Sequence, residues 1–178
     1  MAKTYNTIST FTAGQVLTAA QMNDLGENSN NYRVPPAAVI YRSSTAAVSS
    51  GVAINFDAAA VVDTDSMTTN KASGYIEVST PGIYVASWGF RFSATSGATY
   101  CDATLYFGSG SAAPTGLLVE NYGLAFNGND GSSYVSAVLS LAANDTVGAR
   151  ITTNGVSPVL AGGVNHNRFS LVWIGQAS

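Results

Sequence analysis

Pro81-Gly82-Ile83-Tyr84-Val85-Ala86-Ser87-Trp88-Gly89-Phe90-Arg91-Phe92 is the stretch whose reading decides the fold. Tyr84, Ala86, Trp88, Phe90 and Phe92 recur with period two, and Ser87, Gly89 and Arg91 occupy the alternate positions. A helix would spread these residues around its circumference, whereas a strand sends successive side chains to opposite faces. The aromatic face belongs in a core, and the small polar face points away from it. Pro81-Gly82 is the turn that opens the strand.

The same alternation recurs on both sides of this stretch. Val52, Ile54 and Phe56 form one run, and Ile76 and Val78 another. Cys101, Ala103, Leu105 and Phe107 follow, then Val135, Ala137, Leu139 and Leu141. Val147, Ala149 and Ile151, and finally Phe169, Leu171 and Trp173, complete the set. Residues 117–126 also read as a strand, although Leu117, Leu118 and Val119 interrupt the alternation. Turn signals separate the runs at Gly108–Gly110, Asn127–Gly131, Asn154-Gly155 and Gly162-Gly163, with Asn127–Gly131 read as a hairpin turn. Short strands with turns throughout predict an all-β sandwich or barrel over residues 37–178.

Residues 1–36 read differently, as an N-terminal anchor. Thr18 followed by Gln21 is a capping box that opens a helix over about residues 18–32. Met22, Leu25, Ser29 and Tyr32 make a heptad-like seam, too short to be stable alone in water. Asn23, Asn28, Asn30 and Asn31 lower its propensity further, so its order is expected to come from a partner. Pro35-Pro36 ends the segment.

Composition narrows the classes of function. Of 178 residues only 10% are charged, well below the roughly 25% of ordinary soluble domains. Ser, Thr, Asn, Gly and Ala fill the gap, giving a polar, nearly uncharged surface suited to life inside an assembly. Net charge is −3 and the seven basic residues are scattered along the chain, which argues against nucleic acid as a partner. No apolar run reaches the roughly 20 residues of a membrane span, so no membrane insertion is expected. Met1–Thr10 lacks the apolar stretch of a secretory signal, so synthesis in a host cytoplasm is expected. A single cysteine, Cys101, leaves no intramolecular disulfide.

Three segments, in order, resemble the jelly roll of the complement globular heads and the tumour-necrosis-factor (TNF) family. Pro81–Trp88 is similar to that family's Pro-Gly-x-Tyr strand. Leu139–Val147 is similar to its Leu-x-Leu-x-x-Gly-Asp-x-Val turn, with Asn144 where glycine is usual. Arg168–Ile174 is similar to its closing Phe-Ser strand. The resemblance covers about residues 37–176 and implies a ten-stranded jelly roll and a homotrimer about a threefold axis. Asn144 fits the turn because asparagine also accepts a left-handed backbone. Phe11–Asn23 separately resembles a segment that opens many small bacteriophage virion proteins, in tail and fibre gene regions especially.

Catalytic readings lack parts. His166 is the only histidine, in the polar loop Asn165-His166-Asn167, and no Gly-x-Ser-x-Gly elbow exists. Cys101, on an apolar strand face without basic sequence neighbours, reads as a buried, inert thiol. Asn127–Gly131 resembles an EF-hand start, but the position requiring Glu is Val138. Asp57, Asp63 and Asp65 lie close in sequence, and the Asp63-Thr64-Asp65 loop is the place where oxygen ligands for calcium would gather. No cofactor and no other metal is expected. Nine tyrosines invite a glycan-binding reading, yet Tyr84 has a core pattern. Tyr75, Tyr100, Tyr106, Tyr122 and Tyr134 remain as candidates for intersubunit contact.

These readings converge on a non-enzymatic, homotrimeric virion structural protein of a phage. Phe11, Val16, Leu17, Met22, Leu25 and Tyr32 would dock it on other virion proteins. The jelly roll would stand out as a tail-tip or fibre knob. The alternatives are a capsid decoration or head fibre, or a module binding a host-surface receptor or glycan.

Overall fold

The computed structural model describes residues 15–62, 66–94, 100–121, 131–154 and 159–177, without the side chains of 30–32, 61, 93, 94, 120 and 121. Helix α1 (Ala19–Arg33) is followed by strands β1 (Ala37–Tyr41), β2 (Ala46–Ala47), β3 (Ala58–Val62), β4 (Met67–Asn70), β5 (Tyr75–Val78) and β6 (Gly82–Ala94). Then come β7 (Cys101–Gly108), β8 (Gly116–Asn121), β9 (Ser132–Leu141), β10 (Thr146–Thr153), β11 (Val159–Leu160) and β12 (Arg168–Gly175). The strands number twelve among the described residues, not ten. Two of them, β2 and β11, are pieces of two residues each.

Two antiparallel sheets face each other. One has seven strands, in the order β2-β11-β6-β12-β1-β3 with β9 also paired to β6; the other has five, β4-β5-β10-β7-β8. The chain crosses from sheet to sheet at β3–β4, β5–β6, β6–β7, β8–β9, β9–β10 and β10–β11. That pattern is a jelly roll. The reading of Asn127–Gly131 as a hairpin turn falls between β8 and β9, which belong to different sheets. Residues 127–130 themselves lie outside the described residues.

The opening stretch is β6, hydrogen-bonded along both edges. Gly82–Arg91 pairs with Leu141–Ser132 of β9 on one side, and Ile83–Gly89 pairs with Gly175–Arg168 of β12 on the other. Its aromatic face is buried as the alternation predicts, with Tyr84, Trp88 and Phe92 wholly inaccessible. Phe56 meets Trp88 edge-on at 5.5 Å, and Phe90 meets Phe92 at 4.8 Å. Opposite them lie Ile76, Leu105, Val147 and Ile151 of the five-stranded sheet, all buried. Trp88 Nε1 donates to the carbonyl of Arg150 on β10 at 3.0 Å, so one side chain both fills the core and ties the sheets.

Gly82 opens β6 at φ +155°, against the Trp173 indole of β12. A Cβ there would fall 2.1 Å from Trp173 Nε1 and 2.6 Å from the Gly175 carbonyl oxygen. At the β9–β10 turn, Asn144 adopts φ +70°, the left-handed conformation read for it. Its N–H donates to the Val78 carbonyl at 2.7 Å, while the Asp145 carboxylate accepts from Ala142 N–H at 2.8 Å.

Two expectations change. Val52, Ile54 and Phe56 alternate, but their segment forms only one isolated bridge, Ala53 to Arg150. Ile54 and Phe56 are still buried because Ile54 N–H reaches Ala149 and Phe56 N–H reaches Lys71, so the segment is pinned without a ladder. The helix begins with the capping box: Thr18 N–H to Gln21 Oε1 at 3.0 Å and Gln21 N–H to Thr18 Oγ1 at 3.3 Å. Its more sheltered side carries Gln21, Asp24, Leu25 and Asn28, whereas Met22 is 54% exposed. Of the proposed seam, only Leu25 is partly covered among the described side chains, because polar residues dominate the stripe.

Gly82→Ala is expected to lower stability by roughly 1–3 kcal/mol, since the indole and a backbone carbonyl must both move. Urea unfolding checks this, and an unchanged midpoint would contradict the packing described.

Candidate functional site

The two outward sheet faces are built differently. On the five-stranded sheet, Gly148 of β10 lies between Tyr75 of β5 and Tyr106 of β7 in one cross-strand row. The loop after β7 folds back into this row, and a Cβ on Gly148 would lie 2.5 Å from Pro114 Cγ. Thr146 Oγ1 donates to the Ala112 carbonyl at 2.7 Å, and the Arg150 guanidinium donates to the Pro114 carbonyl at 2.6 Å. The same guanidinium lies 4.0 Å over the Tyr106 ring, a cation–π contact. Asn70 Nδ2 donates to the Tyr75 hydroxyl at 3.0 Å. This side of β10 is therefore occupied by the protein's own chain.

The seven-stranded sheet shows an open side. Register places Val172–Val85–Val138 in one row across β12, β6 and β9, then Ser170–Ser87–Ser136, then Arg168–Gly89–Tyr134. Val138 is 67% and Tyr134 57% exposed on β9, which pairs with β6 alone at the sheet edge, and Ile174 is 52% exposed on β12, between β6 and β1. Ser87 and Ser136 hydroxyls bond each other at 3.0 Å. A Cβ on Gly89 would lie 3.0 Å from Tyr134 Cδ2, so the glycine makes room for the tyrosine ring. Beyond the serine row the face opens into a depression of about 590 Å³, bounded by Arg91, Arg168, Tyr134 and the His166 loop.

The tyrosines proposed for intersubunit contact are not brought together. Tyr75 and Tyr106 belong to the five-stranded sheet, while Tyr134 lies on the open face of the other. Tyr100, 38% exposed, precedes β7, with its N–H 3.4 Å from Asn154 Oδ1. Tyr122 lies outside the described residues. Among the anchor residues, Val16 is 86% and Leu17 37% exposed; Phe11 and the Tyr32 side chain are outside the description. Sequence reading missed Val138, Gly89, Arg91 and Arg168 as members of one surface. The signal was the polar face of the opening strand, which register alone connects to β9 and β12.

Asp63 and Asp65 also lie outside the described residues. The nearby Asp57 carboxylate accepts from Ser43 N–H at 2.6 Å and from the Ser44 hydroxyl at 3.1 Å. Burial pushes this carboxyl up, but the Ser43 and Ser44 donors and the Arg42 charge outweigh it and hold it below its usual range. Its role is to pin the loop after β1. Among the described residues no three His, Cys, Asp or Glu side chains gather in a metal-binding group. His166 sits half-buried in the turn before β12, its N–H bonded to the Gly163 carbonyl at 3.0 Å. Cys101 is buried, and its thiol is pushed up to about 11 by burial, reinforced by the Asp102 charge against a Thr153 hydrogen bond.

No protein-family model matches the chain, and no curated protein sequence matches it significantly. Solved structures do share its fold. Eiger TNF from S. frugiperda matches with a TM-score of 0.63 at 15% identity, over 80% of this chain and 96% of that one. The globular domain of zebrafish complement 1qA matches at 0.57 and 20% identity, over 80% and 99%. Murine APRIL matches at 0.56 and 11% identity, over 78% and 99%. The chain is thus an all-β, TNF- and complement-1q-like jelly roll preceded by one helix.

Native Cys101 should resist iodoacetamide at pH 8, because a thiol titrating near 11 is about one part in a thousand thiolate there and is also enclosed. Alkylation at least about 100-fold faster after unfolding is the expected result; equal rates would contradict the burial. Asp57→Asn tests the loop pin. A carboxyl with a lowered folded-state value stabilises above its unfolded range and loses that contribution as pH falls through the folded value. The wild-type advantage in urea midpoint should be full near pH 6 and shrink below about pH 4. A difference that grew on acidification would contradict the assignment.

Proposed function

We propose that this chain is a homotrimeric structural protein of a bacteriophage virion. Residues 1–36 dock on the particle, and the jelly roll stands out as a knob at the tail tip or fibre. The observation that carries the assembly reading is the contrast between the two sheet faces. The five-stranded sheet is covered around Gly148 and Arg150 by the loop carrying Pro114, while the other presents Val85, Val138, Val172 and Tyr134 with hydroxyls between them. Covering Val138, 67% exposed, contributes at most roughly 1.5–3 kcal/mol and the partly covered Val85 and Val172 less, and serine rows can be covered without desolvating a charge. Three copies joined by one repeated heterologous contact close a ring and leave no open end.

The phage setting is supported by the likeness of Phe11–Asn23 to the opening segment of small virion proteins and by the 10% charge content. A surface this poor in charge sheds water readily against other proteins. Capsid decoration is the same design placed elsewhere on the particle, and copy number per virion separates the two. A receptor-binding role is compatible with either placement, because the knob faces outward in both. Recognition and scaffolding, not catalysis, are the work assigned to the chain.

Sedimentation equilibrium of the full chain at micromolar concentration should give three times the monomer mass. Val138→Asp, which sets a charge into the covered valine row, should weaken association by more than about 100-fold while the monomer stays folded. A wild-type monomer, or an unaffected Val138→Asp trimer, would overturn the interface. Deleting residues 1–34 should leave trimers that no longer attach to particles; normal attachment would overturn the anchor.

A further inference from the structure

The chain is acidic overall, with ten carboxylate residues against seven basic ones. Yet two of its arginines converge at one end of the open face. Arg168 is opposite Gly89 in the β12–β6 register, and Arg91 follows Gly89 by two residues on the same side of β6. They are the only charged residues of β6, β9 and β12. With the His166 ring from the preceding turn they bound the 590 Å³ depression, a size typical of small-molecule sites at roughly 300–1,000 Å³. Ser87, Ser132 and Ser170 line it as well, and no carboxylate does among the described residues.

The physical demand is clear. Guanidinium groups stay charged at any physiological pH and present planar forks of N–H donors that match an oxyanion. Arg168 is exposed and lines the depression, so a group of several atoms can reach its donors from solvent. On the face proposed for self-association, covering the exposed Arg168 charge without a counter-charge would cost several kcal/mol. An anion in the depression removes that cost and adds charge-assisted hydrogen bonds.

We infer that this depression is an oxyanion-binding site, taking a small carboxylate, sulfate or phosphate group between Arg168 and Arg91, beside Ser132. Its place in assembly rests on the trimer reading; its binding chemistry does not. Free anion is the occupant assigned, and a carboxylate side chain from a neighbouring copy is the rival that the experiment separates.

The test uses the full chain, with sodium sulfate replacing sodium chloride at constant ionic strength up to about 20 mM, low enough to limit general salting effects. The unfolding midpoint should rise saturably, as for a ligand that binds only the folded state. Arg168→Ser should shift the half-saturating sulfate concentration upward at least tenfold, Arg91→Ser should act in the same direction, and Arg168→Lys should fall between. Lys71→Ser, which removes one positive charge in the β4–β5 turn, should leave the response unchanged. An equal response in Arg168→Ser and wild type would overturn the site, as would an equal loss in Lys71→Ser. Sedimentation in sulfate-free buffer supplies the second arm. If Arg168→Ser dissociates the trimer there, a neighbour's carboxylate fills the depression and the free-anion assignment fails. A monomeric wild type that keeps the saturable, Arg168-dependent response would sustain the anion site while ending the trimer reading.

Discussion

Backbone pairing along both edges of β6 is the constraint from which the rest of the structure follows. A strand held between β9 and β12 cannot twist away from either, so its two faces have fixed destinations. The face carrying Tyr84, Trp88 and Phe92 is enclosed by the five-stranded sheet, with the Trp88 indole tied across the gap to Arg150. The opposite face must then look outward together with the matching residues of both neighbours. Core and surface are set by the same alternation, and a one-residue slip would exchange them. Gly82 against Trp173 fixes where that register begins.

The two outward faces divide the labour. Arg150 illustrates the closed one, since its backbone carbonyl receives Trp88 while its guanidinium holds the Pro114 loop and covers Tyr106. Little of that surface is left for a partner around Gly148, where Pro114 already sits. The open face offers apolar and hydroxyl rows, then the arginine-bounded depression. Low charge content makes the first part easy to desolvate, and the second part is where a charged ligand can be recognised. In the proposed reading, assembly and anion recognition meet at the row of Arg168, Gly89 and Tyr134, which belongs to both.

Much of this was legible in the chain. Period-two runs around Trp88, Leu105 and Phe169 mark core strands because burial follows alternation directly, and Asn144 marks a left-handed turn. Residues 52–57 show where alternation misleads: Ile54 and Phe56 are buried, but by single backbone bonds to separate elements and not by a ladder. Strand β3, Ala58–Val62, carries no alternating contrast and was not visible. The surface was harder still. Val138, Gly89, Arg91 and Arg168 are far apart in sequence, and only register across three strands makes them neighbours. Tyr75 and Tyr106 look equivalent to Tyr134 as isolated tyrosines, and the sheet to which each belongs separates them.

The proposed trimer requires the outward face of the seven-stranded sheet to be covered. Hydroxyl-radical labelling reads this directly, because Tyr134 is 57% and Tyr100 38% exposed in the single chain. At micromolar concentration Tyr134 should be protected several-fold relative to the same residue in a dissociated Val138→Asp chain, with Tyr100 serving as the internal reference. Tyr134 labelled as readily as in an isolated chain would contradict it.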